Sequence, residues 1–161
     1  MYHKMRRFKQ ELPENEVCEI LHSGKVGIWA VAGDDDYPYA VPVNYVYDGK
    51  AVYIHCAMQG HKLDAIRRNP KCSMCIVDKD DVIPEKFTTC FRSVILFGKA
   101  YVVNDEKERL DALLKLSEKY SPGIDPEDEI NRFIKVVCVV RIDIDSVTGK
   151  EAIELTRMRS K

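Results

Sequence analysis

Between Tyr39 and Pro70 the chain reads YAVPVNYVYDGKAVYIHCAMQGHKLDAIRRNP, and no other stretch restricts the fold as much. Two β-rich runs, Tyr39 to Tyr47 and Ala51 to Ala57, flank Asp48-Gly49, a dipeptide favoured in type I′ hairpin turns. Pro42 removes a ladder donor from the first run, which places that strand at an edge, a bulge or a barrel opening. After Ala57 comes a corner at Gly60, then a short basic helix from His61 to Asn69 with Leu63 and Ile66 inward, ended by Asn69-Pro70. A hairpin followed by a glycine corner and a helix N-terminus is a local design around which the other elements must fit.

On either side the pattern remains β-rich with inserted helices. Pro13 to Ser23 reads as a helix stopped by Gly24, and Val26 to Ala32 as a strand broken by Gly33-Asp34-Asp35-Asp36. Three adjacent acids lack the spacing of a calcium loop, so they read as a solvated turn. Cys72 to Val77 is a strand, Asp78 to Thr89 a long loop, and Phe91 to Val103 a strand whose centre, Val94 to Phe97, is apolar on both faces. Asp105 to Tyr120 is the strongest helical pattern, with Leu110, Leu113, Leu114 and Ser117 on one face. Asp125 as N-cap and Pro126 at the first position open a shorter helix. Val136 to Asp145 is the last core strand, and Thr148-Gly149-Lys150 turns into a tail. The expected fold is one domain over residues 1–161, mainly β: a barrel of six to seven mostly antiparallel strands with flanking helices, an N-terminal arm (1–12) and a C-terminal tail (151–161).

Composition narrows the function. The formal charge of −1 over 161 residues argues against a partner held by bulk phosphate electrostatics, so no nucleic-acid role is expected. No run approaches the ~20 apolar residues of a membrane helix, and the N-terminus has no apolar core after its charges. A cytoplasmic protein with no membrane association is the expectation. Six scattered cysteines read as reduced thiols. Cys72 and Cys75 have redox or zinc spacing, but a strand turns residues three apart to opposite faces, and no metal site is expected.

Three features can carry chemistry. Gln59-Gly60-His61-Lys62 opens a helix, so free amides, the positive dipole end and the Lys62 charge point the same way, as an anion such as a phosphate monoester requires. An ordinary strand-to-helix turn with exposed Lys and His has the same sequence, and spacing does not choose between the two. Val41-Pro42-Val43-Asn44-Tyr45 offers a proline-interrupted strand whose backbone can meet a planar heterocycle, although Asn44 taken by itself is an ordinary polar residue at a turn. His55 alternates with Tyr53 and Ala57 and gains interest only if a pocket lies on its face.

Taken in order, PVNYVYDG, YIHCAMQGHKLDAIRRNP, IPEKFTTCFRSVILFGKA and SVTGKE resemble the pyridoxamine 5′-phosphate oxidase-related, FMN-binding split-barrel proteins, and within them the nitroimidazole-resistance branch. The resemblance runs from about Lys4 to Ile153. It implies a split-barrel homodimer with two FMN sites at the subunit interface. It implies further that Val41 to Tyr45 run beside the isoalloxazine, that Gly60, His61 and Lys62 hold the phosphate, that the strand from Arg92 to Leu96 contributes from the other subunit through Ser93, and that the Thr88-Thr89 loop lies close by. Lys150 belongs to a recurrent C-terminal block, either at the cofactor or fixing a turn, and His55 is the residue placed to touch a small-molecule substrate. The function implied is FMN-dependent reduction of nitroaromatic or other electron-poor compounds. The alternatives are a non-catalytic flavin- or haem-binding module and an oxidase of B6 vitamers. Against the last, His61-Lys62 stands where the oxidase has Arg-Lys, and EAIELTRMRSK has no match to its C-terminal substrate-binding groups.

Overall fold

The computed structural model describes residues 2–159, and the Ser160-Lys161 end of the expected tail lies outside the described residues. Seven strands form one antiparallel sheet in the order β2-β1-β5-β6-β7-β4-β3. They are β1 (Val26–Ala32), β2 (Pro38–Asn44), β3 (Val46–Tyr47), β4 (Ala51–Ala57), β5 (Lys71–Ile83), β6 (Thr88–Val102) and β7 (Val137–Glu151). β2 and β4 approach one another without pairing, so the sheet curls into a barrel that stays split. Five helices surround it: α1 (Glu14–Ser23), α2 (His61–Arg68), α3 (Glu106–Tyr120), α4 (Glu127–Phe133) and α5 (Ile153–Arg159). None is long and apolar enough to cross a membrane.

Alternation along the strands separates two cores. Trp29, Ile54, Met74, Ile76, Val94, Leu96 and Ile142 point into the barrel, where α1 supplies Ile20 and Leu21 and α2 supplies Leu63 and Ile66. Each such side chain contributes about 1.5–3 kcal/mol on burial. On the opposite face, Tyr53 and Val139 meet Leu113 and Leu116 of α3 and Ile130 of α4. Cys72 is buried in the barrel core while Cys75 lies on the other face, as strand alternation requires; among the described residues no cluster of His, Cys, Asp or Glu is arranged to hold a metal.

Several expectations are corrected by long-range pairing. The run from Tyr39 to Tyr47 is not one arm of a hairpin, because β2 pairs along its length with β1 and only Val46 and Tyr47 pair with β4. In the turn, φ is positive at Gly49 alone of the two central residues Gly49 and Lys50, whereas type I′ requires it at both. The Asp48 carboxylate instead accepts from the Lys50 and Ala51 amides, at 3.0 and 2.9 Å. The expected loop from Asp78 to Thr89 is mostly strand, since β5 and β6 remain paired from Lys71–Lys99 out to Ile83–Thr88. A register shift between Val77 and Lys79 absorbs Asp78 and disguised this pairing as irregular sequence. Thr148, Gly149 and Lys150 are not a turn either: they sit within β7 opposite Ile95, Val94 and Ser93, and the tail begins as α5. β6 bends at its shift between Phe97 and Gly98, where a Cβ on Gly98 would run into the Asp143 carbonyl oxygen.

α3 is rotated from the expected face: it buries Ala112, Leu113 and Leu116 and leaves Leu110 and Leu114 exposed. Asp105 caps it by accepting from the Glu108 amide at 2.7 Å. Near the N-terminus of α4, Asp125 accepts from the Glu127 amide at 3.0 Å, with Pro126 in the cap position. In the centre of β6, Val94 and Leu96 are buried but Ile95 and Phe97 are exposed, so only one face lies in the barrel core.

Two side chains pin the end of α3 to the barrel. The Tyr120 hydroxyl accepts from the Tyr45 amide at 2.9 Å and gives its proton to the Lys25 or the Tyr45 carbonyl, both 2.7 Å away. The Lys119 ammonium lies 4.2 Å from the Tyr45 ring centroid and donates to the Gly24 carbonyl at 2.7 Å. Burial lowers the Lys119 pKa from 10.5 to about 8. Between those values the unfolded chain holds a proton that the folded chain has released, so this group makes stability rise with pH there. Urea denaturation of wild type and Lys119→Met at pH 7.5 and pH 10 is expected to show wild type gaining on the variant at the higher pH. Parallel profiles would refute the assignment.

Candidate functional site

The split side of the barrel gathers most of the candidate residues. β2 is an edge strand, so the backbone groups on its outer side have no strand to pair with. Along it Tyr39, Val41 and Val43 pack against the barrel core, while Pro42 and Asn44 face outward. Tyr45, which follows, is fully buried, and its amide is taken by Tyr120. It therefore holds the strand's end in place rather than opening onto solvent. Asn44 donates through Nδ2 to the Lys25 carbonyl at 3.0 Å.

Next to β2 stands the N-terminus of α2. Gly60 takes a φ of 140°, a conformation disfavoured for side-chain-bearing residues, and nothing lies within 4 Å of where a Cβ would be. The Leu63 and Asp64 amides turn back to the Gly60 carbonyl, which leaves the amides of His61 and Lys62 as the outward donors of the first turn. His61 stacks on Tyr39 with ring centroids 4.3 Å apart. Its Nε2 is 3.5 Å from Asp34 Oδ2, and Arg68 Nη2 is 2.5 Å from Asp34 Oδ1. An internal carboxylate thus already sits among the cations of this corner, held by a loop in which Asp35 and Asp36 both adopt positive φ. The Lys62 charge reaches across to Cys56 and Cys138, where it partly offsets the burial that pushes the Cys56 thiol up to about 11. Cys56 and Cys138 are register partners on β4 and β7, and both thiols are free.

His55 is exposed, and a cavity lies on its face. The space, about 690 Å³, runs between the ends of β4 and β7 below and α3 and α4 above. Asn44, His55, Cys56, Ser117, Tyr120 and Glu129 line it together with apolar side chains of both helices. Tyr53, on the same face as His55, fixes the roof: its hydroxyl donates to Glu108 at 2.9 Å, and Arg141 holds the same carboxylate at 3.0 Å. Burial, followed by the Glu108 carboxylate, pushes the Tyr53 phenol up to about 12. Helices α3 and α4 thus contribute a wall that the strand-centred reading of the sequence missed. The signal available was the apolar pair Ile130 and Phe133 on α4 with Ile134 directly after it.

The remaining candidates form a second group elsewhere. Ser93 and Lys150 face each other across β6 and β7, with Lys150 Nζ 5.5 Å from the Phe91 ring centroid. Thr88 and Thr89 line a separate cleft of about 540 Å³ at the β5–β6 hairpin, and Thr88 donates to Glu154 at 3.1 Å. Lys150 lies eleven residues along β7 from Val139, the register partner of His55. At about 3.3 Å per residue that is roughly 36 Å of strand. One chain therefore does not bring the two groups together. Around the second group the surface is apolar: Phe87 is almost fully exposed, and Ile28, Cys75 and Ile95 form a row across β1, β5 and β6 whose Ile28 and Ile95 are exposed.

Replacing Asp34 by Asn removes the carboxylate from the α2 corner. The pairs it makes are surface-exposed, so stability is expected to change by less than about 1 kcal/mol. Affinity for inorganic phosphate, followed by NMR at the His61 ring, is expected to rise; a fall would mean that Asp34 organises the corner instead of competing for it.

A model of the pyridoxamine 5′-phosphate oxidase family matches residues 13–151. A candidate 5-nitroimidazole antibiotic resistance protein from Bacteroides thetaiotaomicron superposes with a TM-score of 0.74 at 20% identity, over 88% of this chain and 86% of that one. A FAD-binding protein from Mesorhizobium loti does so at 0.63 and 27% identity, over 88% and 96%. A flavocytochrome from Azotobacter vinelandii matches at 0.75 and 19% identity, over 93% and 72%. An uncharacterised protein from Rhizobium meliloti is 43% identical over 44 residues, a match that spans 27% of this chain and only 28% of that relative.

Proposed function

The chain belongs to the pyridoxamine 5′-phosphate oxidase family, and on that premise we propose that it is a dimeric, FMN-dependent oxidoreductase that reduces nitroaromatic or other small electron-poor compounds. The observation that carries this reading is the adjacency of a cationic helix corner, an unpaired strand edge and a cavity lined by His55 on one side of the barrel. The residues fit the mononucleotide. Gly60 leaves open space at the corner, Lys62, His61 and two amides offer charge-assisted hydrogen bonds to a phosphate, and the free edge of β2 from Val41 to Asn44 offers backbone groups to a heterocycle. The FAD-binding relative at 27% identity supports a flavin, and the nitroimidazole-resistance likeness supports the substrate class.

A flavin, when bound, supplies a two-electron carrier that a reduced nicotinamide recharges. The chain's own part is orientation, exclusion of water and proton delivery. Conversion of a nitro to a nitroso group takes up two electrons and two protons and releases water. His55 is the imidazole at the cavity wall and is assigned the delivery of a proton to the departing oxygen. Thr88, Thr89, Ser93 and Lys150 are assigned to the site of a second copy, because roughly 36 Å of strand separates them from His55 in their own chain. The exposed row on β1, β5 and β6 and the projecting hairpin give that copy an apolar surface to meet.

Lys62→Ala is expected to weaken FMN binding by about 1.5–3 kcal/mol, the range for a charge-assisted hydrogen bond, while riboflavin, which lacks the phosphate, loses nothing. Unchanged FMN affinity would sink the phosphate assignment. With His55→Ala, flavin content should persist while nitroarene turnover by a reduced nicotinamide falls; flavin loss with misfolding would make His55 structural. Purified protein with a Soret band, or flavin that no donor bleaches, would overturn the reductase reading.

A further inference from the structure

Resting on the flavin reading above, we propose that the cavity between α3, α4 and the ends of β4 and β7 is the substrate chamber, and that it selects uncharged multi-ring aromatic acceptors over single-ring ones. Three observations carry this. The first is size: about 690 Å³ lies within the roughly 300–1,000 Å³ of drug-sized ligand sites, and a one-ring nitro compound would leave most of it to water.

The second is chemistry. The roof is Leu113 and Leu116 of α3 with Ile130 and Phe133 of α4, and Ile134 and Val136 continue it toward β7. Most of the polar groups in the wall are already engaged. The Tyr120 hydroxyl is shared between the Tyr45 amide and two carbonyls, and Asn44 Nδ2 is bonded to Lys25. The Cys56 thiol is held neutral by burial. Glu129 is exposed and lies 3.6 Å from Arg132, on its own helix. That leaves His55, with the small hydroxyls of Ser117 and Ser121, as the polar side chains of an otherwise apolar space, which suits a molecule with few polar functions on a large hydrocarbon body.

The third is that the roof stands apart from the cofactor residues. It belongs to α3 and α4, whereas the residues assigned to FMN lie on β2, α2, β6 and β7, and of these Asn44 alone is in the cavity wall. α4 is anchored by one buried residue, Ile130, and Phe133 and Val136 lie exposed at the mouth, so a flat apolar ligand meets apolar surface as it enters. Hydrophobic burial then rises with ring count, which is the basis of the selectivity.

The test is to measure dissociation constants of nitrobenzene and 1-nitronaphthalene by calorimetry on flavin-loaded and flavin-free protein, for wild type and Ile134→Trp. The expected result is at least ten-fold tighter binding of 1-nitronaphthalene to wild type, with that gain abolished by the tryptophan while Tm and FMN affinity stay unchanged. Equal affinities in wild type, or a gain that survives the cavity-filling variant, would overturn the proposal. So would loss of FMN from Ile134→Trp, because the cavity would then be the cofactor's. If Ile134→Trp fails to fold, Phe133→Trp at the exposed mouth takes its place with the same expected loss. Wild type that binds no flavin would remove the flavin reading, and the chamber then stands or falls on the same ligand pair with flavin-free protein.

Discussion

Continuous backbone pairing among β5, β6 and β7, of 13, 15 and 15 residues, is the constraint on which the rest of the molecule depends. Strands of that length cannot stay flat, and the twist and register shifts that bend them turn an open sheet into a barrel with one unsealed side. The bend also sets distances. β7 pairs with β4 near its start and with β6 further on, so it places Val139 beside His55 and Lys150 beside Ser93 at opposite ends of one element.

At the unsealed side several weak features lie side by side. An edge strand, a glycine corner and a cationic first turn are individually common, and each has an ordinary structural explanation. Their juxtaposition is less ordinary, because Tyr39 stacks on His61 and the Lys62 charge partly offsets the burial of the Cys56 thiol. α3 then sits over the β4 edge through Tyr53, Glu108 and Arg141, and through Tyr120 and Lys119 at its other end. The cavity is the space this clamp leaves between helix and strand. Its shape is therefore tied to polar contacts made by Tyr53, two residues from His55, and by Tyr120, which is itself part of the cavity wall.

Much of this was legible locally. The helix stopped at Gly24, the edge character of β2 at Pro42 and the helix at His61 all follow from short-range backbone rules, and all occur. The failures share one cause. Asp78 to Thr89 and Thr148 to Lys150 lack the composition of strands, yet they are strand because a partner lies alongside and satisfies their amides. Leu110 and Leu114 gave α3 a plausible inner face, but the direction of the clamp rotated it to Leu113 and Leu116.

The sequence by itself determined which segments are strand or helix wherever apolar periodicity was strong, where the corner at Gly60 lies, and which block pattern marks the family. Those properties reside in residues a few positions apart, and φ/ψ preference and side-chain spacing encode them. Only the tertiary structure decided that β2 pairs with β1, that His55 faces a cavity roofed by α3 and α4, and that Ser93 and Lys150 lie at the far end of the strand carrying its register partner. Those relations depend on which distant backbone groups satisfy one another, and on the volume left over when they do.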